Sequence, residues 1–193
     1  MAVRPYVGAI VEPDSHPEPN PEAPDENWNL TYVYGYRCED SRQNVFMNSA
    51  GETVYMTAAL GVILNTEANT QKFFGGGQAD HASKHTSNTA NCHNNDVTAI
   101  AISADRNTCA TGQVGKAPVG FTWDATTGEK KARFQLERGG RGVAAIAISQ
   151  CANYVALVDR SNDHNVYVFD ANSGDCKAKE KGDGNNIYDI AFS

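Results

Sequence analysis

Four side chains between positions 81 and 93 are of types that ligate zinc: His81, His85, Cys92 and His93. A structural zinc site takes its ligands in closely spaced Cys/His pairs. The spacing here fits no such pattern, and the intervening Gly, Asn and Ser would not position ligands, so no metal is expected and His93 is assigned a structural role. Asp159, Ser161, Asp163 and Asn165, with Asp170 at the twelfth place, alternate as in a calcium loop. Such a loop needs Gly at its sixth position and helical flanks. His164 and strand-like flanks stand there instead, and the segment is expected to form a hairpin turn. Arg138-Gly-Gly-Arg-Gly142 has the composition of an RNA-binding segment, but a single copy without aromatic stacking platforms reads as a connecting loop. Gly75-Gly-Gly77 lacks the Lys-Ser/Thr of a phosphate loop, and no nucleophile elbow or carboxylate pair is recognisable. The reading is a non-enzyme with no catalytic residue and no cofactor.

The elements that position these residues repeat. Thr122-Trp123-Asp124-Ala125-Thr126-Thr127-Gly128 returns about 46 residues later as Val168-Phe169-Asp170-Ala171-Asn172-Ser173-Gly174. Upstream, Val97-Thr-Ala-Ile-Ala-Ile-Ser103 returns as Val143-Ala-Ala-Ile-Ala-Ile-Ser149 at the same spacing, and a third copy begins at Ile187-Tyr-Asp-Ile-Ala-Phe-Ser193. A period in the forties with a Trp-Asp pair closing a strand is the signature of β-propeller blades. Two blades and the start of a third do not close a ring, which takes roughly four to eight. The chain is therefore expected to be a piece of a longer one.

Charge is unevenly placed. The net value of −7 owes most of its size to Glu12, Asp14, Glu18, Glu22, Asp25 and Glu26, in a segment without Lys or Arg. The remainder is nearly neutral, which favours neither nucleic acid nor an anionic membrane as partner. Five cysteines without a C-x-x-C pair read as reduced thiols of a cytoplasmic protein. Val54–Leu64, interrupted by Thr57 and Gly61, is too short to span a bilayer.

Along the chain, residues 12–27 hold five of the seven prolines and read as a tether, or as a segment that docks in extended form on a partner. Trp28–Arg37, Asn44–Met47, Thr53–Asn65 and Gln71–Phe74 have strand character, with Thr53–Asn65 split by a tight turn near Ala59–Gly61. The blades are then read as Val97–Ser103, Thr108–Thr111, Val119–Trp123 and Ala132–Leu136, followed by Val143–Ser149, Tyr154–Val158, Val166–Phe169 and Cys176–Lys179. Lys130, Lys131 and Arg133, and then Lys177, Lys179 and Lys181, fall on the outermost strand at the blade period. Lysine there blunts an exposed edge, or meets an acidic partner surface.

Val33-Tyr-Gly-Tyr-Arg37, Arg42-Gln-Asn-Val45, Gly51-Glu-Thr-Val-Tyr55, Ala58-Ala59, Asn65 and Thr70-Gln-Lys-Phe73 together resemble the HELP motif of echinoderm microtubule-associated protein-like (EMAP-like) proteins, which precedes WD40 repeats as it does here. Cys109–Gln113 and Asp159–His164 resemble that family's first two blades. The chain departs from the family in lacking a preceding coiled coil, in inserting residues 75–91 and in shortening the loop after Gln113.

The resemblance implies an all-β partial WD40 β-propeller: an arm over 1–28, the HELP unit over 29–74, the insertion over 75–91, and blades over 92–137 and 138–182 with a third starting at 183–193. It also implies a hydrogen-bonded set of His93, Thr111 and Trp123, without an evident Asp partner and with Phe169 in place of Trp in the second blade; Asp124 and Asp170 are the paired aspartates. The implied function is microtubule binding by a cytoskeletal or axonemal scaffold, with tubulin and other axonemal proteins as partners and Arg37, Arg42, Lys72, Lys130, Lys131 and Arg133 as tubulin-contact candidates. The rival reading is a WD40 interaction module for a non-tubulin partner.

Overall fold

The structure, a computed structural model, describes residues 29–75 and 90–193, with a few isolated positions ahead of residue 29. The expectations for the proline-rich arm and for most of the 75–91 insertion, with His81 and His85, lie outside the described residues. Among the described residues, twelve strands form three four-stranded antiparallel sheets. The first sheet holds β1 (Val45–Met47), β2 (Thr53–Thr57), β3 (Leu60–Asn65) and β4 (Thr70–Phe74). The second holds β5 (Val97–Ile102), β6 (Thr108–Gln113), β7 (Val119–Asp124) and β8 (Lys130–Gln135). The third holds β9 (Val143–Ile148), β10 (Tyr154–Asp159), β11 (Val166–Asp170) and β12 (Cys176–Glu180). Each is a meander in chain order, the strand order of a propeller blade. The HELP segment thus builds a complete sheet of the same pattern as the repeats.

The sheets stack face to face, and the two-residue period of each strand divides its side chains between neighbours. From β7, Val119, Phe121 and Trp123 join Val54, Met56, Ile63 and Phe74 of the first sheet in one buried cluster. On its other face Thr122 Oγ1 donates to the carbonyl of Ala171 at 2.6 Å. Phe134 and Leu136 join Val155, Leu157, Tyr167 and Phe169 in a second cluster, between the second and third sheets. The innermost strands β5 and β9 run side by side, joined where Thr98 Oγ1 donates to the carbonyl of Val143 at 2.8 Å. Apolar residues point both ways from the strands of the second sheet because it lies between the other two, which is why β5 and β7 are buried almost throughout.

The close approach requires absent side chains at two positions within strands, among others in the turns. A Cβ on Gly61 would lie 2.5 Å from Trp123 Cζ2, and one on Gly112 would lie 2.5 Å from Val143 Cβ. This corrects the turn expected near Ala59–Gly61. Thr57 pairs with Leu60, so the two-residue loop is Ala58-Ala59, with Ala58 at φ 46°. Gly61 lies within β3 and makes room for an indole.

The strand expected over Trp28–Arg37 is also corrected: residues 29–43 form no strand. The segment crosses the outer face of the first sheet, where Val33 packs on the cluster of Tyr55, Leu60 and Val62. Gln71 replaces a strand neighbour. Its Oε1 accepts from Val33 N at 2.7 Å, while its Nε2 donates to the carbonyl of Val33 at 3.0 Å and to Tyr55 Oη at 3.0 Å. Gly35 at φ 82° breaks the extended register beyond that clamp.

The third copy of the first-strand pattern, residues 187–193, lies outside every sheet. Tyr188 is 62% and Phe192 37% exposed. A strand is defined by its ladder partners, and among the described residues nothing pairs with this one. It meets the segment ahead of β1 instead: Arg42 lies 4.9 Å over the Tyr188 ring, and Gln43 Nε2 donates to Asp189 Oδ2 at 3.2 Å.

Candidate functional site

His93, Thr111 and Trp123 come together at the boundary of the first and second sheets, all fully buried. Trp123 Nε1 donates to Thr111 Oγ1 at 3.1 Å, and His93 Nε2 lies 2.9 Å from the same hydroxyl. The partner that sequence reasoning missed is Gln113, whose Oε1 lies 2.9 Å from His93 Nδ1. The amide of Asn94 donates to that Oε1 and Gln113 Nε2 donates to Asn94 Oδ1, which fixes which end of the Gln side chain is oxygen. An acceptor at Nδ1 requires a proton there, so Nε2 accepts from the Thr111 hydroxyl. The result is a directional chain, Trp123 to Thr111 to His93 to Gln113, walled by Phe74 and Phe121. Phe74 stacks on Trp123 at 5.4 Å, and Phe121 meets the imidazole edge-on at 4.8 Å.

One repeat later, Leu157 stands where Thr111 does, Phe169 where Trp123 does and Asp159 where Gln113 does. With no indole N–H to satisfy, the hydroxyl position is apolar. Asp159 instead organises the β10–β11 turn, accepting from the amides of Ser161 and Asn165, the Ser161 hydroxyl, Asn165 Nδ2 and Tyr167 Oη. Burial opposes its ionisation, and the Ser161 and Asn165 donors outweigh it, so the carboxyl is held below its usual range. This is the segment that mimics a calcium loop. The Gln113–Asp159 correspondence was a signal already present in the repeat.

Burial drives the His93 pKa down to about 4, against a smaller raising effect of the Gln113 bond. The sign follows directly. The unfolded chain takes up this proton near pH 6.5 and the folded chain near 4, so the stabilisation is complete above 6.5 and is lost as pH falls toward 4. A shift of that size corresponds to about 3 kcal/mol. Thermal melts should show a steep fall in Tm between pH 6.5 and 4. A His93→Gln protein, which has no such proton to take up, should lose most of that slope; an unchanged slope would contradict the assignment.

Asp124 and Asp170 hold equivalent turns. Asp124 Oδ1 accepts from the amides of Thr126 and Thr127 and from the Thr126 hydroxyl; Asp170 Oδ1 accepts from the amides of Asn172 and Ser173. Burial opposes the ionisation of Asp124, yet the Thr126 and Thr127 donors bring its pKa to about 2. The second carboxylate oxygen faces a lysine on the outermost strand in each sheet: Lys131 at 3.8 Å from Asp124 and Lys177 at 3.9 Å from Asp170.

The other cations singled out in the sequence are distributed over the edges. Lys72 on β4 lies 3.2 Å from Glu52 and donates to the carbonyl of Thr126. On β8, Lys130 donates to the carbonyl of Ala90 and to Asn91 Oδ1, and Lys131 donates to Thr108 Oγ1. Arg133 donates to Gln135 Oε1, and burial lowers its pKa. Arg37, ahead of β1, pairs with Asp40 at 2.7 Å and Asp96 at 3.1 Å, and both carboxylates raise its pKa. Arg42 lies on Tyr188. The four strand cations therefore face partners in their own or an adjoining segment, while Arg37 and Arg42 tie residues 29–43 to the blades and to the third repeat.

A first segment that forms a four-stranded sheet, followed by two blade sheets carrying the Trp-Asp repeat, defines a WD-repeat propeller headed by a HELP unit. The HELP motif family model matches residues 23–62. The chain is 53% identical over 193 residues to the ciliary WD repeat-containing protein ctxp80 of Euplotoides octocarinatus, covering 100% of this chain and 27% of that protein. It is 34% identical over 163 residues to echinoderm microtubule-associated protein-like 1 of Rattus norvegicus, covering 79% of this chain and 18% of that one. It is also 34% identical over 157 residues to the 77 kDa echinoderm microtubule-associated protein of Strongylocentrotus purpuratus, covering 77% and 20%. The chain is thus similar to EMAP-like proteins in joining a HELP motif to WD40 repeats. It spans about a quarter or less of the length of these relatives.

Proposed function

We propose that this chain is part of a non-enzymatic, microtubule-associated scaffold of the cytoskeleton or of a ciliary axoneme, acting through contacts between tubulin and a rigid stack of blades. The observation that carries the reading is the HELP unit built as a blade and packed directly against the first WD sheet, in a chain similar to proteins named for microtubule association. The axonemal part rests on the ciliary name of the 53% identical relative. A stack held by interlocked indole, glycine and carbonyl contacts presents its loops in fixed positions, which suits a protein whose role is to hold partners together. In the same reading residues 1–28 tether the stack, and Arg37, Arg42, Lys72, Lys130, Lys131 and Arg133 are candidate contacts. Co-sedimentation of the full chain with taxol-stabilised microtubules at low salt is the test. Pelleting that weakens as salt rises is expected; a chain that stays in the supernatant at low salt would remove the microtubule reading.

A further inference from the structure

Three loops that lie far apart in sequence are knotted together at one end of the second and third sheets. The amide of Gly115 donates to the carbonyl of Arg141 at 3.1 Å, and the amide of Gly139 to the carbonyl of Lys116 at 2.8 Å. The amide of Arg160 donates to the carbonyls of Gly140 and Gly142 at 2.8 and 2.9 Å. Val114 and Gly142 form an isolated bridge. The backbone therefore gathers Lys116, Arg138 and Arg141 into one patch, with Arg160 beside it, and the first three are exposed.

These three cations differ from every other basic residue discussed above. Among the described residues, no side-chain hydrogen bond or ion pair engages Lys116, Arg138 or Arg141. The nearby carboxylates are already occupied: Glu137 by Lys179 at 2.6 Å, Asp163 by Lys181 at 2.7 Å, Asp96 by Arg37, and Asp159 by its own turn. Asp40, bonded to Arg37, reaches only Arg160, at 4.0 Å. Arg141 sits at φ 59°, in the left-handed region that Gly or Asn adopts more readily than a residue with a long side chain. Three like charges are thus held together on two loops bonded to each other, with no compensating acid, an arrangement that favours an external anionic partner.

We infer that Lys116, Arg138 and Arg141 form a docking surface for an acidic peptide segment of a partner protein. This builds on the reading of the chain as a partner-holding scaffold and names the chemistry of one face. Arginine forks match carboxylates bidentately, and the glycines around them let an extended chain approach the backbone. A single-stranded nucleic acid would need stacking surfaces as well, and the loops 114–118, 136–142 and 160–165 contain no Phe, Tyr or Trp.

Fluorescence anisotropy of a labelled ten-residue polyglutamate peptide, added to the full chain at low salt, tests the inference. The triple variant Lys116→Gln, Arg138→Gln, Arg141→Gln is expected to bind at least about tenfold more weakly. The double variant Lys131→Gln, Lys177→Gln should lose less than about twofold. A charge-retaining triple, Lys116→Arg, Arg138→Lys, Arg141→Lys, should bind nearly as well as the unaltered chain, which separates charge from folding. Equal affinity of the neutral triple and the unaltered chain, or tighter binding of an RNA decamer than of the peptide, would overturn the inference. Microtubule pelleting separates the two readings. Failure to pellet alongside peptide binding through these residues removes only the microtubule reading. Pelleting with peptide affinity unchanged in the neutral triple removes only this one.

Discussion

Replacing Trp123 with Ala should lower the unfolding free energy by about 3–5 kcal/mol, the range for emptying a fully buried large aromatic site. The indole is 0% exposed, stacked on Phe74, in contact with Gly61 and bonded to Thr111. Its removal opens a cavity between two sheets and leaves Thr111 without its N–H donor. Trp123→Phe is the milder change. It keeps one of the two rings and loses the hydrogen bond and a smaller volume, so a cost of about 1–3 kcal/mol, below that of Trp123→Ala, is expected. Urea unfolding measures both. A Trp123→Ala cost below that of Trp123→Phe would contradict the arrangement. Phe169, which fills the equivalent place beside Leu157, shows that the site tolerates a ring without N–H when the hydroxyl opposite is absent too.

The second large effect is expected from adding one carbon. In Gly61→Ala the new methyl would meet Trp123 Cζ2 at 2.5 Å and Cη2 at 3.0 Å. Neither side yields easily: β3 is held by ladders on both edges, and the indole is fixed by its hydrogen bond and by Phe74. Overpacking of this kind costs about 1–3 kcal/mol. The cost should shrink when Trp123→Phe is made in the same protein, because the Cζ2–Cη2 edge of the indole that collides has no counterpart in the shorter Phe side chain. Such non-additivity between residues on different sheets is the signature of direct contact. Strict additivity would mean that the two sheets do not touch there.

Much of the fold was legible because the period is written in side chains that each sheet must place identically. The Ala-Ile-Ala-Ile runs, the aromatic-Asp pairs and the Gly that follows recur about 46 residues apart, and the strands fall where that spacing puts them. Less legible was whatever depends on a neighbour distant in sequence. Trp28–Arg37 has a strand composition, yet its residues from 29 onward run without a ladder, because a single Gln71 side chain engages both backbone groups of Val33. Gly61 looked like a turn residue, since a glycine in an apolar run gives no sign that an indole from another sheet lies against it. The buried set was read as three residues because its fourth member is Gln113, where an Asp was sought.

Charge was the hardest property to place from sequence. The lysines of β8 and β12 stood out by their periodicity, and that same periodicity sets Lys131 and Lys177 beside Asp124 and Asp170. Lys116, Arg138 and Arg141 have no common spacing. Only the backbone bonds between three connecting loops bring them together.

The account stands on sheets stacked against one another, each covering its neighbour's apolar face. The most direct measurement is a proton NOE spectrum of the folded chain. Cross-peaks are predicted between the Gly61 α-protons and the Trp123 indole ring, and between the Gly112 α-protons and the Val143 methyls, because each pair lies in van der Waals contact across a sheet boundary. A spectrum that shows the ladders within each sheet but lacks both cross-peaks, or that pairs residues 97–102 with 143–148 as neighbouring strands of one ladder, would contradict it.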